Sequence, residues 1–454
     1  MLTVRRQPEI LLSDDKRVIP RYLNFGKPAR IQSIVRRVLA LPEDEVARLL
    51  ASVRQRFSLR HRDLEEGLRG NYRAVLRHTR KARHASEPHQ LLLGAFFTLE
   101  YSIESAALFN PSLVPHPDQT GLDDGELRFL MSLRATGEGH VSSIVFRRGV
   151  IGADGTMAFD PPPRYAYSAR PVHTDSTRTE KIHRLLAELD RRDQPASATD
   201  LADRILWLAN SDYQLHFPED CLPAETVIFP ATPHESRGME DLRLVRFVDD
   251  DGQAHYFGTY TAFDGERIRP MILETRDFHN FTIAAIAGRF AANKGLALFP
   301  RRVDGHYYMI SRHDGENLFV MRSRDLYKWN TAQKLITPEF SWELVQVGNC
   351  GSPLETEAGW LLITHGVGPM REYAISVTLL DRDDPGRVLA RLPYPLLSAD
   401  ETEREGYVPN VVYSCGSVIH NGRLIIPYAM SDARTAFATV ELRALLDELA
   451  DHHA

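Results

Sequence analysis

Apolar positions recur with two different periods along the chain, and the change from one to the other divides it. Ile31, Ile34, Val35, Val38 and Leu39 follow the i, i+3, i+4, i+7, i+8 spacing of a helix face. After Pro42-Glu-Asp-Glu45, a favourable first turn, Val46, Leu49, Leu50, Val53 and Phe57 repeat it, so two amphipathic helices are predicted. Asp63 is placed to cap a third helix carrying Leu64, Leu68, Val75 and Leu76, which Gly67 and Gly70 weaken. Its basic end, Arg73 to Arg83, reads as a solvated face, because no aromatic residue interleaves beyond Tyr72. Ser86-Glu-Pro opens a longer segment, His89 to Phe109, apolar all round; it is predicted to be a helix buried against the main domain and ended by Asn110-Pro111.

From Asn110 onward the period shortens to two. Leu127–Leu133, Ser142–Phe146, Leu242–Phe247, His255–Ala262, Pro270–Thr275, His306–Ser311, Leu318–Arg322, Trp360–His365, Tyr373–Leu379 and Arg423–Ala429 all fit a strand. Asp250-Asp-Gly252, Asp304-Gly305 and Asn421-Gly422 mark antiparallel hairpins between them. Many short strands without intervening helices call for a barrel, a sandwich or a propeller, and groups recurring at blade-like intervals favour the propeller. The exception is a helical insertion at about 163–220, with helices over Thr174–Asp190 and Ala198–Asn210 between proline-rich connectors. It is expected to overhang the central site, and a short C-terminal helix, Val440–Leu449, to pack back on the sheet. The division expected is thus a helical extension, 1–109, and an all-β domain, 110–454.

Composition narrows the functional classes. With 454 residues, 43% hydrophobic and 26% charged, the chain reads as a soluble globular protein. A net charge of -6 gives no overall attraction to nucleic acid or to an anionic membrane, so any anion site must be built locally. Cys221, Cys350 and Cys415 are far apart with no CxxC pair, which supports neither a disulfide framework nor structural zinc and fits a reducing cytoplasm. No apolar signal core or membrane-spanning run is visible.

The chemistry collects where strands begin or end. Glu235-Ser-Arg-Gly-Met-Glu-Asp-Leu-Arg243 holds three carboxylates and two guanidinium groups just before a strand, which sets Asp241 at a strand mouth. Lys294 precedes Leu296-Ala-Leu-Phe-Pro300, Arg312 ends a strand, His365 ends another beside Gly366, and Arg134 ends a third. Each is unremarkable by itself: a solvated charge cluster, surface cations, a satisfied histidine. Converging on one rim, they would bind an anion and a polyol together. No HExxH, Walker A or GxGxxG pattern competes.

Taken in order, Gly238-Met-Glu-Asp-Leu-Arg243, Tyr260-Thr-Ala-Phe263, Thr275-Arg-Asp-Phe278, Asn293-Lys294 with Leu298-Phe-Pro300, Gly359-Trp-Leu-Leu-Ile-Thr-His-Gly-Val367, Leu379-Leu-Asp381 with Asp384-Pro385, and Glu403-Arg-Glu-Gly-Tyr-Val-Pro-Asn-Val-Val412 resemble glycoside hydrolase family 130. The resemblance spans about residues 100 to 445. It departs at Leu242, where the family usually has proline, and at Gly295, where an aspartate commonly follows the lysine.

That resemblance implies a five-bladed β-propeller and an inverting transfer of a mannosyl unit from a β-mannoside to phosphate, giving α-mannose 1-phosphate, with no metal or organic cofactor. Asp241 falls on the general acid, which acts through a hydroxyl of the bound mannose. Lys294, Arg312 and His365 fall on phosphate-binding positions; Asn110, Arg134, Glu240, Arg243 and Asp432 fall near the sugar. An inverting displacement needs an acid on one face and room for a separate nucleophile on the other. Two alternatives stay open. One is a β-mannosidase on the same fold, using water with Glu355 or Glu403 as base; the other is a non-catalytic propeller that binds glycans or proteins. The partners expected are a manno-oligosaccharide and inorganic phosphate, with no nucleic acid and no membrane. The N-terminal helices are expected to form subunit contacts or to rim the site.

Overall fold

The computed structural model describes residues 2–173 and 198–453, and the two periods become two regions. Helices Pro28–Leu39, Glu43–Phe57, Leu64–Val75 and Glu87–Phe96 bury their stripes in a core of their own, with Ile31, Val35, Val46, Leu50, Leu68, Val75 and Leu92 inside. Asp63 caps the third helix by accepting the Glu66 amide at 2.9 Å. Gly67 and Gly70, poor helix formers, are explained by packing. A Cβ on Gly67 would meet the Pro20 ring at 2.8 Å, and one on Gly70 would overlap the Arg170 guanidinium.

The sequence expectation fails over His89–Phe109. The helix stops at Phe96, and strands Thr98–Ser102 and Ala107–Pro115 follow. Continuous apolarity there reflects a strand buried on both faces, which a helical stripe cannot be told from by composition. Asn110-Pro111 ends no helix but interrupts a strand. The predicted helix Ala198–Asn210 is present, whereas Thr174–Asp190 lies outside the described residues.

The rest is mostly β. Strands Ala107–Pro115, Leu127–Thr136 and Ser142–Ile151 form one antiparallel group. A second comprises Gly238–Val248, Ala254–Phe263, Ile268–Thr275 and Asn280–Ala285, joined to the first through the parallel pairing of Gly238 with Ser142. Next come Ala297–Leu298 with Tyr307–Ser311, Leu318–Ser323 and Ala332–Ile336, and then Gln346–Asn349 with Gly359–Val367, Tyr373–Leu380 and Val388–Arg391. The last group pairs Val412–Tyr413, Arg423–Met430 and Arg434–Glu441, and receives Arg5–Arg6 from the start of the chain on its outer edge, Arg5 opposite Thr439. Asn421 and Gly422, with φ of 46° and 72°, make the two-residue turn their sequence predicts. The C-terminal helix, Leu442–Ala450, sets Leu445 and Leu449 into the core between the last two groups. Among the described residues no helix is long and apolar enough to cross a membrane.

Because neighbouring strands run antiparallel, the start of one strand and the end of the next lie at the same end of a group. Asn110, Arg134, Asp241, Arg312, His365 and Asp432 all sit at such positions, and Lys294 lies just before Ala297–Leu298.

Candidate active site

Two breaks in the strand ladders make its centre. Pairing loses register between Phe109 and Ser112, and again between Glu240 and Arg243. At these bulges Asn110 and Asp241 take φ of 50° and 58°, a region that side-chain-bearing residues seldom occupy. A bulge re-aims a side chain out of the sheet's alternation. Here the Asn110 amide donates to Asp241 Oδ1 at 2.6 Å. The sequence set Asp241 at the strand mouth; the strand begins at Gly238 instead, and the bulge turns the carboxylate.

Around Asp241 the charges alternate. Arg134 donates to Asp241 Oδ1 at 3.2 Å and to Glu240 Oε1 at 2.7 Å, and Lys294 Nζ meets Glu240 Oε2 at 2.6 Å. Arg243, 2% exposed, donates to the Asp241 carbonyl at 3.1 Å and to the Tyr413 hydroxyl. Burial alone would push the Asp241 carboxyl up, but the charges of Arg134, Arg243 and Lys294 outweigh it and hold the group at about 2. Asp432 goes the other way: burial, and then the Asp241 charge, push it up to about 6 against Arg134 and Arg371. Two carboxyl groups of one site are thus drawn apart, one ionised and one able to hold a proton near neutral pH.

Near Arg243 lies a set of buried nitrogens that none of the described residues answers. Among the described residues, Arg312 Nε and Nη1, Arg243 Nε and His365 Nε2 are buried without a hydrogen-bond partner. Gly295 leaves space here, since a Cβ on it would stand 3.3 Å from Asn349 Oδ1 and 3.8 Å from Arg312 Cβ. His365 stacks on Tyr373 with centroids 5.6 Å apart and meets the Tyr413 ring edge-on at 4.9 Å. The sequence reading placed His365 among the strand-end groups that would bind an anion. Burial, reinforced by the charges of Arg312 and Arg243, drives its pKa well below the usual imidazole value, so the ring is neutral at pH 7 and acts as a hydrogen-bonding group.

The residues gathered in this way are Asn110, Arg134, Glu240, Asp241, Arg243, Lys294, Arg312, His365 and Asp432. Glu355 and Glu403 are not among them. Glu355 is held by Arg301 at 2.6 Å and also pairs with Arg382, and it lines a separate cavity with Leu113, Leu244 and Gly416. Glu403 takes both of its carboxylate oxygens to Arg6, each at 3.0 Å, and accepts from the Tyr428 hydroxyl at 2.5 Å. Sequence reasoning missed Tyr373, Tyr413, Asn349 and Arg371. The tyrosines read as ordinary strand aromatics, and only cross-sheet contacts reveal what they support. None of the site residues named here comes from the four N-terminal helices.

Comparison with known proteins agrees with this architecture. Residues 208–451 match the glycoside hydrolase family 130 model, described as beta-1,4-mannooligosaccharide phosphorylase. A 1,2-beta-oligomannan phosphorylase of Thermoanaerobacter sp. (strain X514) is 32% identical over 218 residues, 47% of this chain and 71% of that protein. A beta-1,4-mannooligosaccharide phosphorylase of Ruminococcus albus is 30% identical over 172 residues, 35% of this chain and 51% of the relative. In fold, the chain is similar to the Listeria innocua beta-1,2-mannobiose phosphorylase structure, with a TM-score of 0.50 and 21% identity, covering 78% of this chain and 94% of that one. A family match over more than half of the chain, reaching Asp241, Lys294, Arg312, His365 and Asp432, leads to one conclusion: this chain belongs to glycoside hydrolase family 130.

Proposed function

We propose that the protein is an inverting glycoside phosphorylase, transferring a mannosyl unit from a β-1,2- or β-1,4-linked manno-oligosaccharide to inorganic phosphate and releasing α-mannose 1-phosphate. The sheets are read as five blades around the site. The observation that carries the reading is that, among the described residues, the buried N–H groups of Arg312 and Arg243 and the ring nitrogen His365 Nε2 beside Asp241 have no hydrogen-bond partner. Guanidinium edges left unpaired in a partly dry cleft cost on the order of a few kcal/mol, and an anionic co-substrate offsets that cost. Relatives acting on β-1,2- and β-1,4-mannosides support the substrate class without choosing the linkage.

In this reading Asn110, Arg134 and Asp432 grip the mannosyl unit, and phosphate lies against Arg312, His365 and Lys294. A phosphate oxygen attacks the anomeric carbon from the face opposite the departing oxygen. The glycosidic C–O bond breaks, and the leaving oxygen takes a proton that Asp241 supplies through a hydroxyl of the mannose. The proton carried in by hydrogen phosphate balances the one given up. Asp241 at about 2 is a poor donor while Arg134, Arg243 and Lys294 act on it without a phosphate to offset them. A bound dianion offsets the field that depresses it and raises its proton affinity when the co-substrate is in place. No metal or organic cofactor enters the scheme.

A hydrolase would need a carboxylate to activate water, and Glu355 and Glu403, its candidate bases, are engaged elsewhere. A purely binding propeller has no use for an acid set beside unanswered donors. Product analysis on manno-oligosaccharides with and without phosphate tests the proposal. Cleavage should depend on phosphate, saturate with it and yield mannose 1-phosphate; free mannose released at an undiminished rate in phosphate-free buffer would establish the hydrolase.

A further inference from the structure

We infer that His140 and Tyr407 form an aromatic platform at the lip of the site that takes a hexose unit of the substrate chain beyond the two flanking the scissile bond, making the enzyme selective for oligosaccharides over the disaccharide. The inference rests on the reading of the site given above. The two rings stack with centroids 5.5 Å apart and planes at 25°, although they come from loops more than 260 residues apart in sequence. Both remain exposed, Tyr407 at 64%. An exposed aromatic pair that is held in place yet covered by none of the described residues is a surface suited to a ligand.

The loop carrying each ring is anchored next to a residue of the site floor. His140 lies in the tight turn joining Leu127–Thr136 to Ser142–Ile151, closed by the Gly137 amide on the Val141 carbonyl at 3.2 Å. The two ends of that turn are fixed by Arg134, whose Nε donates to Ser142 Oγ at 2.8 Å, and by the Tyr101 hydroxyl on the Glu138 carbonyl at 2.8 Å. His140 itself has φ 58°, a costly conformation that persists only where its surroundings enforce it. Tyr407 is flanked by Gly406 and Val408, both seated on the turn that carries Asp432. A Cβ on Gly406 would lie 2.4 Å from the Ser431 carbonyl oxygen, and the Val408 amide donates to that same oxygen at 3.0 Å. Ser431 and Asp432 are themselves left-handed, with φ of 49° and 52°. The loops that carry the two rings are therefore anchored beside Arg134 and beside Asp432, which places the platform next to the site rather than on the floor where Asp241 acts.

The ligand class follows from the chemistry. The C–H face of a pyranose packs flat on an aromatic ring while its hydroxyls stay in water, so an exposed pair gains affinity for a sugar without desolvating polar groups. Arg371, whose charge acts on Asp432, and the adjacent Met370, 91% exposed, add a cation and an apolar side chain at the Asp432 end of the site. A chain leaving the floor toward solvent on this side meets the rings after the sugars flanking the reacting bond.

The test uses the full-length protein and manno-oligosaccharides of two, three and four units in both linkages. Wild type should bind and phosphorolyse the longer chains of its preferred linkage better than the disaccharide. Tyr407→Ala should weaken titration-calorimetric binding and lower kcat/KM for three and four units by about five-fold, the scale of one aromatic contact, with the disaccharide changed less than two-fold. His140→Ala should do the same, and Tyr407→Phe should retain the chain-length preference. Equal losses on all lengths, or no loss on any, would overturn the platform. Absence of phosphate-dependent cleavage by the wild type would instead overturn the proposed reaction, and calorimetric binding of the tetrasaccharide to wild type and Tyr407→Ala would still decide the platform.

Discussion

Replacing Asp241 by asparagine separates the charge of this group from its shape. The carboxylate accepts from Asn110 and Arg134 and answers the charges of Arg243 and Lys294. The amide keeps the volume and one acceptor but can neither donate the acid proton nor neutralise those cations. Turnover should fall by about 10²–10⁴-fold, the usual contribution of a general acid. Stability should fall by about 2 kcal/mol, as for a charge-assisted buried hydrogen bond. Phosphate affinity should move the opposite way. A unit of negative charge removed from within about 8 Å of the phosphate is worth about 2 kcal/mol or more at an effective dielectric near 20, so phosphate should bind at least about ten-fold more tightly. Mannose 1-phosphate formation reads the first effect, and calorimetric titration with inorganic phosphate in the absence of sugar reads the last. More than about a tenth of wild-type turnover, or weaker phosphate binding by the variant, would refute the assignment.

Arg312→Ala should raise the KM for phosphate at least ten-fold while changing the KM for sugar less than three-fold, on the scale of one lost charge-assisted contact; steady-state kinetics at crossed concentrations decides it. Folding raises the Asp432 pKa from 3.8 to about 6, so the folded state holds this proton more tightly. Its contribution therefore favours folding below pH 4 and is lost as pH rises through 6, and Asp432→Asn should flatten that part of the stability–pH curve measured by urea unfolding. Gly288→Ala should destabilise by about 2 kcal/mol or more, because φ is 119° and the added Cβ would stand 2.5 Å from the Trp329 carbonyl oxygen; thermal unfolding reads it. Arg6→Ala removes the two-bond clasp on Glu403 and should lower stability by about 1 kcal/mol while leaving kcat unchanged, an outcome that would separate Glu403 from catalysis.

Much of this was legible in the sequence. Periodicity fixes which face of an element is apolar, and that is a local property. The three first helices, the hairpin at Asn421-Gly422, the cap at Asp63 and the ten strands read from alternation follow from it, whereas shorter or continuously apolar strands such as Asn280–Ala285 and Arg434–Glu441 do not. The ordered motifs also carry the family and the residues that meet in the site. What sequence could not decide depends on contacts between distant segments. Continuous burial made the strand Ala107–Pro115 look like the end of a helix, because apolar composition without a period is the same for both. A bulge adds one residue to one strand and is defined only by its partner, so the turned carboxylate of Asp241 and its bond to Asn110 were invisible. Glu355 and Glu403 carry the same side chain as any catalytic base, and only their partners, Arg301 and Arg382 for one, Arg6 and Tyr428 for the other, remove them from the site. The charge of His365 was decided in the same way. A histidine in a sequence has an ordinary pKa, whereas one buried between Arg312 and Arg243 is neutral, because burial and like charge are properties of the folded neighbourhood and not of the residue.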